Sequence, residues 1–408
     1  MAERPGKDSD AILGVIPRLV FEPESLEEAE DAVARCARDR LTLGFIGGGT
    51  ELGMGAAPSD LDAVLRTCRL DRVLEHAPAD QIVTVEAGAT LAALQAVLAP
   101  HHQWLALDPP WPERATLGGI VSTNAFGPRR TRYGAARDLI LGVSIVRADG
   151  TRVKAGGKVV KNVAGFDVAR LLVGALGTLG LVATATFRLH PVPEAAATVL
   201  FPALDSAGVS SLAEACRAAQ LEPTSLAAVA DSDRFDLGVR FEGFAPGVAK
   251  QAERLLDLGR RERAAGERLG EAEARAFWGR HEAVREMGPL RVKVSAPPSG
   301  FPAVARTALA RLLGELSPAG AVFYPTLGLG YVAGRPSAVS AVAAATAEAR
   351  EALAPLGGSL VVCEAPHDLR AAVDVWGAPP PAFALMERLK GRLDPDRRLN
   401  RGRFVGGI

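Results

Sequence analysis

At 408 residues, 48% hydrophobic and 23% charged, the chain is too long for one ordinary core and has the make-up of a soluble protein of two domains. Lysine plus arginine and aspartate plus glutamate number 47 each, a balance that excludes the basic footprint of a nucleic-acid binder. The four scattered cysteines (Cys36, Cys68, Cys216, Cys363) form no C-x-x-C pair, which argues against a zinc or iron–sulfur site and for a reducing compartment, and residues 1–10 carry no signal-peptide pattern.

Residues 25–40 predict the first helix, with Ser25 and Glu28 as a capping box and Leu26, Ala29, Val33 and Ala37 on one face. The apolar stretch 41–46 predicts a strand that runs into Gly47-Gly48-Gly49-Thr50. Residues 81–86 predict another strand, followed by a helix over 91–98 capped by Thr90. A hairpin over 139–153 turns at Asp149-Gly150. The charge-free run from Leu171 to Phe187 is short for a membrane span and is broken by Gly174, Gly177 and Gly180. It reads as a helix end, a turn and a buried strand over 178–190. Pro191 and Pro193 then mark a domain boundary. Beyond it, strands near 236–243, 290–296, 320–334 and 358–363 alternate with helices near 247–266, 271–287, 302–316, 337–354 and 380–392. That alternation predicts an α+β sheet covered on one face.

Two glycine segments carry the chemistry. The first, 44–55, places consecutive glycines after a strand, so that backbone N–H groups converge on an anion without a cationic side chain. A plain glycine-rich turn is the competing reading. A dinucleotide fingerprint from Gly47 fails, because Leu52 stands where glycine is needed and Gly53, Gly55 and Pro58 follow it. An ATP loop at Gly157-Lys158 fails as well, with Arg152 and Val159 in the wrong places. The second segment, 115–127, reads as a loop opened by Gly118, Gly119 and Gly127, with Thr116, Ser122, Thr123 and Asn124 as short hydrogen-bonding groups. Two such loops clamp an extended cofactor from both sides.

Residues 47–55, 114–127, 132–143 and 157–191, in that order, resemble the FAD-linked oxidase family that shares its PCMH-type flavin domain with vanillyl-alcohol oxidase and p-cresol methylhydroxylase. Asp394-Pro395 and Asn400-Arg401-Gly402-Arg403 resemble its closing segment, which usually has proline where Arg401 stands. Within the family, Asp108-Pro109-Pro110, Gly127-Pro128-Arg129-Arg130 and the run Gly157–Asp167 are most similar to the smaller, FAD-binding subunit of glycolate oxidase. The resemblance implies a two-part FAD-binding domain over 1–192, an α+β cap over 193–384, and a segment 385–408 that returns to the first domain. It implies noncovalent FAD held by Ile46, Gly47, Gly48, Gly49, Thr50, Glu51, Leu52, Pro109, Thr116, Gly118, Gly119, Ser122, Thr123, Asn124, Gly127, Gly180, Val182 and Asn400. It further implies a subunit of a 2-hydroxy acid (glycolate or lactate) oxidase or dehydrogenase, with a larger flavin subunit and an iron–sulfur subunit as partners. The alternative is an FAD-binding scaffold or electron relay without catalysis of its own. The expected place is the cytoplasm, at the inner face of the membrane through the complex, with no membrane span.

Oxidation of a 2-hydroxy acid needs a base for the hydroxyl proton and a cation for the carboxylate. Complete relatives carry histidines in the cap, yet 321–334 holds none, and 358–367 offers only Glu364 and His367. Glu364, His367 and Arg291 are therefore the catalytic candidates. A helix-capping glutamate, a surface histidine and a solvated strand arginine (Arg291 alternating with Lys293) are the competing readings. No metal site is expected. His101 and His102 point apart, and His76, His190 and His281 have no evident partner.

Overall fold

The computed structural model describes residues 2–158, 167–230 and 232–408, and the chain divides into two compact units. The first comprises Met1–Gly127, Gly134–Val192 and Ala378–Ile408; the second comprises Pro128–Tyr133 and Pro193–Gly377. Residues 159–166, the centre of the run that resembles the glycolate oxidase subunit, lie outside the described residues.

The first unit is built on two sheets. One orders its strands Ala2–Pro5, Leu19–Glu22, Ala63–Arg66 and Leu43–Ile46, the last three parallel. The other is antiparallel, in the order Val73–Ala77, Ile82–Glu86, Leu181–Arg188, Ile140–Val146 and Arg152–Gly156. The expected hairpin is its last pair. The helix Leu26–Arg38 starts as the sequence predicts, with Ser25 Oγ accepting the Glu28 N–H at 3.2 Å. Its capping box is shifted by one residue, because the Glu28 carboxylate takes the N–H of Glu24 at 2.9 Å. Ala29, Ala32, Val33 and Cys36 are fully buried, packed among Phe21 and Leu65 of the first sheet and Val146, Leu181 and Ala183 of the second. At about 1.5–3 kcal/mol for each fully buried large aliphatic side chain, this shared cluster joins the two sheets. Burial also pushes the Cys36 thiol up to about 11, so it behaves as a small hydrophobe.

The C-terminal segment enters this unit as backbone. The Leu43 N–H donates to Arg398 O and the Asn400 N–H to Leu43 O, both at 2.9 Å, which sets Leu399 beside the strand Leu43–Ile46. The glycine run that follows this strand therefore has Asn400 and Arg403 beside it.

Beside the same sheet, Asp10 is fully buried. It accepts from Arg4 Nη1 and Nη2 at 2.6 and 3.0 Å, from Arg66 Nη1 at 2.8 Å and from the Lys7 N–H at 3.0 Å. The hydrogen bond from Arg4, chiefly, holds its carboxyl at about 2. A carboxyl depressed by folding adds stability above its unfolded value near 4, and that stability is lost as pH falls toward 2. Discounted for its partly exposed arginine partners, the effect is about 1–2 kcal/mol. Urea denaturation at pH 4 and pH 2.5 should show that extra loss in the wild-type protein and its absence in Asp10→Asn; equal pH responses would refute the assignment.

The second unit is an eight-stranded antiparallel sheet in the order Glu267–Arg268, Ala195–Leu204, Phe235–Gly243, Ser225–Ala230, Leu316–Tyr324, Leu329–Pro336, Leu290–Ser295 and Ser359–Glu364. Two of these strands, Ala195–Leu204 and Ser225–Ala230, escape sequence reading because they are rich in alanine, a weak strand former. Coverage of one face only is corrected by the structure. From the helix Glu271–Glu286, Trp278 Nε1 donates to Thr198 Oγ1 at 3.1 Å, and the Arg240 guanidinium lies 4.5 Å from the Trp278 ring. Thr198 and Arg240 are register partners and share a face. Phe201, three residues on, points to the opposite face and packs against Gly259 of the helix Ala245–Arg261. Helices thus cover both faces. Among the described residues no helix is long and apolar enough to cross a membrane.

Candidate functional site

A cleft within the first unit holds about 710 Å³ of space, open solvent at its mouth included. One wall is the segment Gly47–Leu52, delivered by the strand Leu43–Ile46. The facing wall holds Thr116, Gly118, Gly119, Ser122 and Thr123, and the remainder comes from Gly180–Val182 and Asn400. Phe45, Thr67, Ala87, Leu176, Gly177, Leu181 and Arg403 also line it, and sequence reasoning missed them. Ile46, Pro109, Asn124 and Gly127 do not line it.

The second segment is not the open loop expected from its glycines. Leu117–Thr123 is a short helix; the Thr116 Oγ accepts the Gly119 N–H at 3.3 Å, and Asn124 ends it in the left-handed region at φ 53°. Gly118 serves packing, since a Cβ there would lie 2.7 Å from the Ala87 Cβ. A threonine cap before an apolar run, with asparagine eight residues after the cap, was the available signal. The helix is braced by the Gly174 and Leu176 N–H groups, which donate to Val121 O and Ser122 O at 2.9 and 2.8 Å.

The first segment also needs correction. Within Gly47-Gly48-Gly49 only Gly49, at φ 74°, has a positive φ. A Cβ on Gly47 would overlap the Thr116 hydroxyl, and one on Gly48 would overlap the Arg114 carbonyl oxygen. These two glycines allow two backbone segments to meet edge to edge and so form the floor of the cleft.

The cleft fits FAD on the polar atoms it presents. Asn400 is 3% exposed; its Nδ2 donates to Leu176 O at 2.7 Å, which leaves Oδ1 as the acceptor. Among the described residues that buried Oδ1 has no partner, and a ligand N–H or O–H in the cleft would satisfy it. The Cys68 Sγ, exposed, donates to Gly47 O at 3.2 Å, so the structure sets a thiol beside the glycine run even though neither segment contains one.

The catalytic candidates lie in the second unit. Arg291 and Glu364 are cross-strand partners in the register. Arg291 is not a solvated strand arginine: it is 3% exposed, and Nη1 donates to Arg285 O at 3.2 Å. Glu364 is half-buried, and His367 is exposed at the start of the helix His367–Ala372. His281, without an evident partner in the sequence, is fully buried between Tyr324 OH (2.9 Å from Nε2) and Glu282 Oε1 (3.1 Å from Nδ1). Burial lowers its pKa. The carboxylate can only accept, so Nδ1 carries the proton and Nε2 accepts from Tyr324. Trp278, His281 and Arg285 recur at helical spacing on the buried face, the pattern that marks His281 as a core residue. Among the described residues no group of three or more His, Cys, Asp or Glu side chains is placed to hold a metal.

Residues 17–156 match the FAD binding domain family. The chain is 32% identical over 185 residues to glycolate oxidase subunit GlcD of Bacillus subtilis, a match covering 45% of this chain and 39% of that one. It is 34% identical over 185 residues to glycolate oxidase subunit GlcE of Escherichia coli (45% and 51%). It is 37% identical over 175 residues to a D-lactate dehydrogenase of Archaeoglobus fulgidus (42% and 39%). The matches thus span about half or less of these relatives' length. Two solved structures of alkyldihydroxyacetonephosphate synthase superpose with TM-scores of 0.73 and 0.69 at 17% identity, covering 94% and 95% of this chain and 77% of theirs, a likeness of fold.

Proposed function

We propose that this chain, an FAD-binding protein whose residues 17–156 belong to the FAD binding domain family, is the FAD-binding subunit of a complex that oxidises a 2-hydroxy acid of the glycolate or lactate class. In this reading FAD is held noncovalently by the peptide groups of Gly47–Leu52, by Thr116, Gly119, Ser122 and Thr123, and by Asn400. When bound, FAD supplies the two-electron acceptor that such an oxidation requires. The chain works in the cytoplasm with a larger flavin subunit and an iron–sulfur subunit, to which electrons pass.

The observation that carries the reading is the contrast between the two units. The cleft is complete within the first unit, and the buried Asn400 Oδ1 beside it has no partner among the described residues. In the second unit the best-formed polar groups face inward: Arg291 is 3% exposed, and His281 and Tyr324 are fully buried against each other. His367 is exposed and Glu364 half-buried. A buried, neutral imidazole whose free nitrogen already accepts from a tyrosine is a poor base for a substrate hydroxyl. Loss of a general base costs roughly a hundred- to ten-thousandfold in rate. The chemistry, or its base, therefore comes from the partner.

The test is anaerobic mixing of the purified, FAD-loaded chain with glycolate or D-lactate, read by flavin absorbance. The expected result is an oxidised spectrum with the chain alone and bleaching once the larger flavin subunit and the iron–sulfur subunit are added. His367→Ala should change neither. Steady bleaching by the chain alone, lost in His367→Ala, would make it an enzyme in its own right.

A further inference from the structure

We propose that Phe45 is the wall on which the adenine ring of FAD packs, so that the dinucleotide lies with adenine at the Phe45 end of the cleft and the flavin ring at the other. The proposal rests on the FAD reading of the cleft and adds to it the direction of the cofactor. Among the described residues that line the cleft, Phe45 alone has an aromatic side chain. Alternation along the strand Leu43–Ile46 decides where that ring goes. Gly44 and Ile46 face one apolar cluster: a Cβ on Gly44 would meet Ile12 and Leu61 at 2.8 and 2.9 Å, and Ile46 packs with both. Phe45 shares the opposite face with Leu43 and packs at the margin of the cluster that holds Leu43, Leu181 and Leu399. Gly177 lies directly against the ring, since a Cβ there would stand 3.0 Å from Phe45 Cδ2. The ring is thus set in place before a ligand arrives, and it remains only half-buried at the cleft.

The choice of adenine follows from reach. Phe45 and Gly47 are two residues apart on one side of the chain, about 6.6 Å at the rise of a strand. Gly47 faces the opposite wall, because a Cβ on it would overlap the Thr116 hydroxyl. A ligand whose pyrophosphate lies along Gly47–Leu52 must cover only that short step to place a ring on Phe45. Adenine is joined to the pyrophosphate by a single ribose, which spans it. The flavin ring hangs on the longer ribityl chain and would have to fold back on itself. A preset aromatic ring binds a planar base without charge and without a hydrogen bond.

The experiment uses the full chain stripped of flavin. Dissociation constants for FAD, ADP and FMN are measured for the wild-type protein and F45L, which keeps an apolar side chain and removes the ring. Wild-type binding of FAD tests the cofactor reading; the ratios of F45L to wild type test the proposal. F45L should weaken FAD and ADP by the same factor, roughly five- to hundredfold, and leave FMN unchanged. Unchanged ADP binding by folded F45L would overturn the proposal. So would a loss confined to FAD and FMN, which would put the flavin ring on Phe45. If circular dichroism shows F45L unfolded, the wild-type protein decides by NMR. With protonated phenylalanine in an otherwise deuterated chain, saturation of the phenylalanine ring protons should pass to the two adenine ring protons of bound ADP. No transfer to adenine would overturn it.

Discussion

Lys390→Met should destabilise the first unit by about 3–5 kcal/mol, the cost of leaving one member of a buried ion pair without its partner. Lys390 and Asp394 stand one turn apart at the end of the helix Phe383–Leu393, and their side chains are 1% and 0% exposed. The Lys390 Nζ donates to Asp394 Oδ2 at 2.7 Å, to Thr178 O at 2.8 Å and to Leu399 O at 3.0 Å, which uses all three ammonium protons. Asp394 Oδ2 also accepts the Leu399 N–H at 2.8 Å. One ammonium thus joins the helix, the turn after Gly177 and the residue before Asn400. In the variant the carboxylate keeps one backbone donor and loses its counter-charge, while two carbonyls lose theirs. Adding Asp394→Asn should return part of the loss, with a coupling of about 1–3 kcal/mol in a double-mutant cycle. Urea unfolding followed by tryptophan fluorescence supplies the numbers. A single-variant cost under about 1 kcal/mol would show that water reaches the pair. Because Thr178 and Leu399 adjoin the cleft residues Gly177 and Asn400, the variant should also release FAD more readily than wild type.

The same contacts show what the sequence could and could not reveal. The helix Leu26–Arg38, the helix Leu91–Leu98 behind Thr90 and the hairpin at Asp149-Gly150 were legible because caps, turns and periodicity act over a few residues. Most of the cleft-lining glycine, serine and threonine residues were legible through motif order. Arg403 was not. Its buried position depends on carbonyls at Leu52 and Met54, about 350 residues away in the chain, and nothing local marks a basic residue in a C-terminal tail as buried. His281 was missed for a related reason: its partner Tyr324 sits on a strand, and only the packing of the helix Glu271–Glu286 on that strand brings them together. The competing reading of Arg291 as a solvated strand arginine fails because alternation on a strand shows that two faces exist, not that one of them is left to solvent.

Gly48→Ala should leave the purified chain with little or no FAD, even though alanine adds only one methyl group. The reason is direction. Seen from the sequence, the glycine run clears space for a phosphate, and a small side chain would then cost little. In the structure the Gly48 Cα faces the Arg114 carbonyl oxygen, and any Cβ would overlap that atom and crowd the carbonyl carbon. Both are backbone, so neither rotates away. The two walls of the cleft must part, and with them Gly47 and the Thr116 cap that it touches. Gly49→Ala should be milder. Among the described residues its Cβ would meet only the Leu52 side chain, at 3.6 Å, and the cost there is the φ of 74°, worth roughly 1–2 kcal/mol for a residue with a side chain. Gly157→Ala, whose Cβ would meet nothing within 4 Å among the described residues, serves as the control. Flavin content per chain after purification, and FAD affinity of the stripped proteins, should therefore fall in the order Gly157→Ala, Gly49→Ala, Gly48→Ala. If Gly48→Ala kept full flavin while Gly48→Val lost it, the side chain would be entering the phosphate space after all, and the edge-to-edge contact of the two walls would be the wrong account of why glycine is needed there.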